Sequence, residues 1–384
     1  MSNFIPYGCQ DITEEDIQTV SEILKSDFLT QGPMVPLFEK AVSDYVDINY
    51  AFAMNSATSA LHVACLALGL KEGDWLWTSP NTFVASANCG RYCGAHVDFV
   101  DIDSKTYNMS VTALEEKLKQ AKLHNCLPKI VVPVHFAGQS CDMKSIKALA
   151  DEYNFFIIED ASHAIGGTYL NQKIGNCRFS DITIFSFHPV KIITTAEGGM
   201  ALTKDAKLAD KIQLFRSHGI TRDANFMTHI ADGDWYYQQI ELGLNYRMTE
   251  LQAGLGISQL KRIDKYVQRR HELANYYDQI LSDLPLILPY QHHDNYSALH
   301  LYPIVLQDAT KRKIVFDHLR KNNIGVNVHY IPVHTQPYYQ QLGHKYGDYP
   351  QAEAYYNGAI SLPLFAKLSH QQQDFIVDCI KASI

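Results

Sequence analysis

The sequence predicts an α/β protein with a mostly parallel sheet flanked by helices, followed by a smaller C-terminal α+β domain. Three observations carry that prediction. From residue 50 short apolar runs alternate with amphipathic stretches, two of the later runs lead into polar residues suited to chemistry, and a long helical pattern at 249–281 precedes a shorter strand-helix-strand pattern.

The alternation opens with "YAFAMN", "SATSALHVACLALGL", "DWLWTSP", "NTFVASANCGRYCG" and "AHVDFVDI", and continues through "SVTALEEKLKQA", "KIVVPVHF", "DMKSIKALADEY", "FFIIED" and "DITIFSF". Such a succession of strands and helices builds one large domain, expected over residues 1–250. The stretch 249–281 has apolar positions at helical spacing and reads as a connecting helix ahead of "SDLPLILPY". "ALHLYPIVL", "TKRKIVFDHLRKNN" and "GVNVHYIPV" then read as strand, helix and strand of a domain over residues 251–384.

Composition narrows the class. Of 384 residues 46% are hydrophobic and 19% charged, and the net charge of −8 is spread along the chain. A basic stripe is missing, which argues against a nucleic-acid or acidic-membrane partner. The eight cysteines form no CxxC pair and suit reduced thiols in a cytosolic enzyme. Neither a leader pattern nor a membrane-length apolar run is present, so a cytoplasmic location is expected.

In "FFIIEDASHAIGG" a buried strand is followed by Glu159 and Asp160, where ligands sit in open α/β sheets, although either acid also suits a cap for the next segment. Lys191 follows "DITIFSF" and precedes "ITTAEGGM". A lysine there is ordinarily a solvated charge, but one held among apolar residues and close-approach glycines has its pKa lowered and acts as a Schiff-base nucleophile. "NSATSALHVA" opens a helix with small hydroxyl residues just after a strand, which is both an ordinary cap and an anion site. No GxGxxG or GxxxxGK[ST] is present, which disfavours a dinucleotide or P-loop ligand. A nucleophilic lysine, a strand-end carboxylate, a phosphate cup and the aromatic of "NTFVASAN" are together the parts that pyridoxal phosphate requires.

At this combination the chain resembles the DegT/DnrJ/EryC1/StrS sugar-nucleotide aminotransferases, within the aspartate-aminotransferase fold (fold type I of pyridoxal-phosphate enzymes). Matching segments run nearly end to end: "FLTQGPMVPLFE", "NSATSALH", "NTFVASAN", "EDASHAIGG", "FSFHPVKIITTAEGG", "LFRSHG", "LGLNYRMTELQAGLGISQL", "HLYPI" and "VHYIPVH". The resemblance implies that Lys191 bonds the cofactor and shuttles protons, while Asp160 partners the pyridinium nitrogen. It places Phe83 on one ring face, His163 and Ala161 near the other side, and Ala57, Thr58 and Ser186 at the phosphate. Asn245 would complete the phosphate cup of a partner subunit, implying a homodimer. A dehydratase relative has histidine at the lysine position, so Lys191 favours transamination.

L-glutamate is the expected amino donor and a nucleotide sugar the acceptor. The finer motifs are most similar to members that aminate C4 of UDP-2-acetamido-2,6-dideoxy-β-L-arabino-hexos-4-ulose, a step toward pseudaminic acid, a sugar of surface polysaccharide and flagellin glycosylation. By position Tyr7, Asp27, Phe28, Leu29, Thr30, Asn327, Val328, His329 and Tyr330 would approach that substrate. "VHYIPVH" is shared with members acting on other UDP-, dTDP- or GDP-4-keto-6-deoxy sugars.

Two other classes of function have less support in the sequence. His292, His293 and Asp294 in "QHHD" are metal-ligand types, yet adjacent histidines in a strand face opposite sides and no HExxH-like spacing supports them, so no metal site is expected and a solvated loop is the plainer reading. A catalytically silent pyridoxal-phosphate-binding regulator would have no need of Lys191, Asp160 and Ser186 together.

Overall fold

The computed structural model describes residues 4–384. Seven strands form the central sheet: β1 (Tyr50–Met54), β2 (Trp75–Thr78), β3 (His96–Phe99), β4 (Ile130–Val132), β5 (Phe156–Asp160), β6 (Ile182–Ser186) and β7 (Gly199–Thr203). Their spatial order is β1-β7-β6-β5-β4-β2-β3. All neighbours run parallel except the two pairs that β7 makes with β1 and β6. Helices α1 (Glu14–Leu24) and α2 (Met34–Val46) precede the sheet, and α3 (Ala57–Ala67), α4 (Ala85–Tyr92), α5 (Val111–Leu123), α6 (Met143–Tyr153) and α7 (Ala206–Arg216) lie between or after its strands.

The inner strands read as continuous apolar runs because both faces of the sheet are covered. Alternate side chains then feed two separate cores: Val131, Ile157 and Phe185 enter one, while Ile130, Ile158 and Ile184 enter the other.

The single connecting helix expected over 249–281 is two helices. α8 (Glu250–Leu260) ends in a turn at Lys261 and Arg262, and α9 (Ile263–Leu281) resumes after it. No proline or glycine marks the break. Arg262 is drawn out of helical register by long-range bonds, its Nη2 donating to both oxygens of the buried Asp16 carboxylate at 2.8 and 2.7 Å.

Beyond α9, strands Leu286–Ile287, Tyr302–Leu306 and Ala359–Leu362 form a small antiparallel sheet with its own core. "GVNVHYIPV", read above as a strand, touches this sheet at one bridge only, Asn327 to Ser361. Its later amides turn to the other side: Tyr330 N–H donates to Asn81 Oδ1 at 3.2 Å and Val333 N–H to the Pro80 carbonyl at 2.9 Å. We propose that the division between a larger unit (1–250) and a smaller one (251–384) follows these two sheets, with α8 packed on α1 and α2 and α9 making the crossing. Residues 1–3 of that division lie outside the described residues.

Candidate active site

The chain leaves β6 at Ser186 and returns to β7 at Gly199, and the excursion between them is closed at its base by Phe187 N–H donating to the Gly198 carbonyl at 2.9 Å. Lys191 sits on a turn within it, its N–H bonded to the His188 carbonyl at 2.9 Å, ahead of the buried Ile192 and Ile193. Burial pulls the Lys191 amine down to about 8, against the opposing pull of the Asp160 charge. The amine is therefore half deprotonated near pH 8 instead of two to three units higher.

Glu159 and Asp160 divide by strand alternation. Glu159 turns into the protein, where it accepts from His135 Nε2 at 2.7 Å, Ser180 Oγ at 2.8 Å and Thr183 Oγ1 at 3.1 Å. Burial works to raise its pKa, but these three donors hold the carboxyl below its ordinary value. Asp160 turns to the opposite face, where Ser86 Oγ donates to its Oδ2 at 2.6 Å and Ser162 N–H to its Oδ1 at 3.1 Å.

Across from them α3 begins. Ser56 is its N-cap, accepting from Ser59 N–H at 3.1 Å, which occupies that amide and leaves those of Ala57 and Thr58 to meet an anion. Gly199 makes the approach possible: a Cβ there would lie 2.3 Å from the Ala57 nitrogen. At Gly198 a Cβ would lie 2.1 Å from Thr195 Oγ1. Gly199 thus lets β7 pass directly under the start of the helix, while Gly198 makes room for Thr195.

Lys191, Asp160, Ala57, Thr58, Ser186, Phe83, His163, Tyr7, Asn327, Val328, His329 and Tyr330 all line one cavity of about 560 Å³ at the carboxyl ends of β4, β5 and β6. Phe83 is 59% exposed within this chain, an open aromatic face. His163 Nε2 and the Tyr330 hydroxyl share a hydrogen bond of 3.0 Å, and their rings lie at 21°. Burial, then the Lys191 charge, hold His163 well below its usual range, and the same two causes bring His329 to about 3. Both imidazoles are neutral at physiological pH. Burial and the Asp160 charge push the Tyr330 phenol upward.

Several expected residues lie elsewhere. Ala161 is buried and lines no part of the cavity; its N–H donates to the Ile184 carbonyl at 2.9 Å, beside β6. Asp27, Phe28, Leu29, Thr30 and Asn245 are exposed in the single chain and line no part of it. Thr30 pairs with Thr249 and Asn245 with Ser217. Conversely Thr82, Ser86 and His300 line the cavity without having been singled out. Ser86 and His300 fall inside the quoted "NTFVASAN" and "HLYPI", but their contacts with Asp160 and His163 are long-range and leave no local pattern.

The solvated loop expected for "QHHD" is present, without the strand geometry argued for its histidines. Residues 292–294 lie in a turn, not a strand, and His292 and His293 stack with centroids 4.3 Å apart. One ligand atom from each of His292, His293 and Asp294 lies within 4.8 Å of the others, with His293 82% exposed. No helix among the described residues is long and apolar enough to cross a membrane.

A match to the DegT/DnrJ/EryC1/StrS aminotransferase family spans residues 10–381. The chain belongs to that family. Like other DegT/DnrJ/EryC1/StrS aminotransferases it is a pyridoxal-phosphate-dependent sugar aminotransferase with the fold of that enzyme class. The Bacillus subtilis spore coat polysaccharide biosynthesis protein SpsC is 40% identical over 386 residues, covering 99% of this chain and 97% of that protein. A Campylobacter jejuni UDP-4-amino-4,6-dideoxy-N-acetyl-beta-L-altrosamine transaminase is 37% identical over 383 residues, covering 98% and 96%. Helicobacter pylori PseC, an aminotransferase involved in pseudoaminic acid biosynthesis, superimposes with a TM-score of 0.91 at 34% identity over 99% of both chains. The residues present fit the family's cofactor: a cradle that a single Cβ at Gly199 would fill, a buried carboxylate, an amine of lowered pKa and an open aromatic face converge on one cavity.

Proposed function

We propose that this aminotransferase moves the amino group of L-glutamate to C4 of UDP-2-acetamido-2,6-dideoxy-β-L-arabino-hexos-4-ulose, giving UDP-4-amino-4,6-dideoxy-N-acetyl-β-L-altrosamine on the way to pseudaminic acid. The observation that carries the reading is the juxtaposition of Lys191 and Asp160 in one cavity at the start of α3, in a chain with close likeness to the Campylobacter transaminase and to PseC. Bound pyridoxal phosphate supplies an electron sink that weakens a C–H bond beside nitrogen.

The residues have distinct tasks. Asp160 keeps a proton on the pyridine nitrogen, and Ser86 and Ser162 aim its carboxylate. Lys191 Nζ holds the cofactor covalently at rest and then carries a proton between carbon atoms, for which an amine near pH 8 is matched. The Ala57 and Thr58 amides and the Ser186 hydroxyl bind the phosphate, and Phe83 covers one ring face. His163, braced by Tyr330, lies on the other side. Tyr7, Asn327, Val328, His329 and Tyr330 contact the nucleotide sugar, and Asn245 reaches the phosphate of a second subunit. The enzyme thus works as a homodimer, and we place it in the cytoplasm, where nucleotide sugars are made.

A second reading is amination of another UDP-, dTDP- or GDP-linked 4-keto-6-deoxy sugar for surface polysaccharide. In its favour, SpsC is the more identical relative and is named for a spore coat polysaccharide. The test is incubation with glutamate and a panel of these sugars, read by mass spectrometry and NMR. Amination of the UDP-arabino-hexos-4-ulose at least tenfold faster than the others is expected; preference for a dTDP or GDP sugar overturns the first reading.

A further inference from the structure

Residues 327–335 carry four of the groups assigned above to the substrate, yet form no regular strand. Irregular backbone at a binding site has to be fixed by something outside itself. On one side it leans on the turn before Phe83 through Asn81 Oδ1 and the Pro80 carbonyl. The other side is held from a single piece of chain, the helix Pro350–Gly358 and the strand Ala359–Leu362 that follows it without a loop.

Three side chains of that piece reach the segment. The Tyr355 hydroxyl donates to the His329 carbonyl at 2.8 Å. Ser361 Oγ bonds His329 Nδ1 at 2.8 Å, and the Ser361 N–H donates to the Asn327 carbonyl at 2.8 Å. Further along, His334 Nε2 donates to Glu353 Oε1 at 2.8 Å, and the same oxygen accepts from Gly347 N–H at 2.8 Å. All three partners are buried, and none of them lines the cavity.

We infer that the helix-strand unit 350–362 is the positioning element of the sugar-binding segment, acting through Glu353, Tyr355 and Ser361. Ser361 sets the ring orientation of His329 by occupying its Nδ1, and leaves Nε2 toward Asn327, 3.5 Å away. Tyr355 fixes the peptide between His329 and Tyr330. His334, shared by the "VHYIPVH" motif with enzymes of different sugars, then belongs to the anchor and not to sugar recognition. Glu353 is the far end of that anchor. Cofactor contacts at Lys191, Asp160 and α3 come from other elements, and the segment touches the cofactor side through the Tyr330–His163 bond, so loss of the anchor falls mainly on the sugar.

The inference rests on the substrate assignment of the preceding section, and the experiment separates the two. Holoenzymes of wild type, Tyr355→Phe, Ser361→Ala and Glu353→Gln are compared in two half-reactions: the glutamate-driven spectral change of bound cofactor, and turnover of the best sugar of the panel. Loss of one buried hydrogen bond predicts a rise of about tenfold in KM for the sugar in Tyr355→Phe and Ser361→Ala. The glutamate half-reaction and cofactor retention stay within twofold of wild type. Glu353→Gln keeps an acceptor for His334 and stays near wild type, whereas Glu353→Ala follows Tyr355→Phe. Wild-type protein inert to glutamate overturns the aminotransferase assignment itself. A normal glutamate step with sugar KM unchanged in Tyr355→Phe and Ser361→Ala overturns the positioning role, as does an equal loss in both half-reactions.

Discussion

Glu159 and Asp160 are adjacent in the chain and serve opposite faces of one strand: the first is locked to His135, Ser180 and Thr183, the second is presented to the cavity by Ser86 and Ser162. Two chemically similar side chains are thereby given separate functions by a period of two. Asp160→Ala should abolish turnover with the fold intact. Glu159→Ala should leave three buried partners unmatched and destabilise by about 2–4 kcal/mol. Turnover assays beside urea denaturation test the pair; a Glu159→Ala protein of wild-type stability contradicts this division.

Lys191 lends itself to a pH measurement. Below about 8 the amine is protonated in the apo-protein, so covalent cofactor capture should slow by about tenfold per unit of pH, and level off above that value. The Asp160 charge favours the protonated amine, hence Asp160→Asn should move the midpoint downward. Stopped-flow absorbance of cofactor binding over pH 6–10 reports both, and a midpoint that stays near 10 or shifts upward in the variant refutes the assignment.

The same amine carries a stability consequence with a definite sign. Its folded pKa of about 8 lies below the unfolded value of 10.5, so the unfolded chain binds more protons between those limits, and stability of the apo-protein rises with pH across them. At neutral pH the buried amine is a penalty. Lys191→Met, which keeps the stem, should stabilise the apo-protein by about 1–3 kcal/mol. Thermal melts of the two apo-proteins at pH 7 decide the matter; a lower melting temperature in the variant is the contrary result.

The proposed sharing of sites between two subunits predicts complementation. Lys191→Ala and Asn245→Asp proteins, each inactive, should on mixing and exchange form hybrids with one intact site, recovering about a quarter of wild-type activity for a two-fold dimer. Covalent cofactor retention after borohydride reduction should be lost in the first and kept in the second. Consistent failure of exchanged mixtures to recover activity counts against the shared cup.

Much of this site could be read from the chain because its parts sit at strand ends and helix starts, where local pattern is strongest. Asp160 and the Ser56 cap are of that kind, and Lys191, on a turn after β6, is read from the strand before it and the glycines after it. Features made by distant contacts could not be read. The break at Lys261 and Arg262 depends on Asp16, roughly 250 positions earlier, in a stretch whose own periodicity is helical throughout. "GVNVHYIPV" alternates like a strand, but the amides of Tyr330 and Val333 are claimed by Asn81 and Pro80. Its irregular path matters because it brings Asn327 to Tyr330 into the cavity.

The contact between Gly199 and the first turn of α3 has a consequence for how this site can change over time. The anion grip proposed there is a matter of main-chain atoms, so replacing Ala57 or Thr58 would alter the rim without erasing the amides that are to meet the ligand. The restriction falls instead on a residue that touches no ligand: Gly199 has room for one hydrogen where every other amino acid brings a carbon. Variation at positions 57 and 58 is therefore tolerated, and variation beneath them is closed. A designer wishing to admit a bulkier phosphate ester would have freedom at positions 57 and 58 and none at 199.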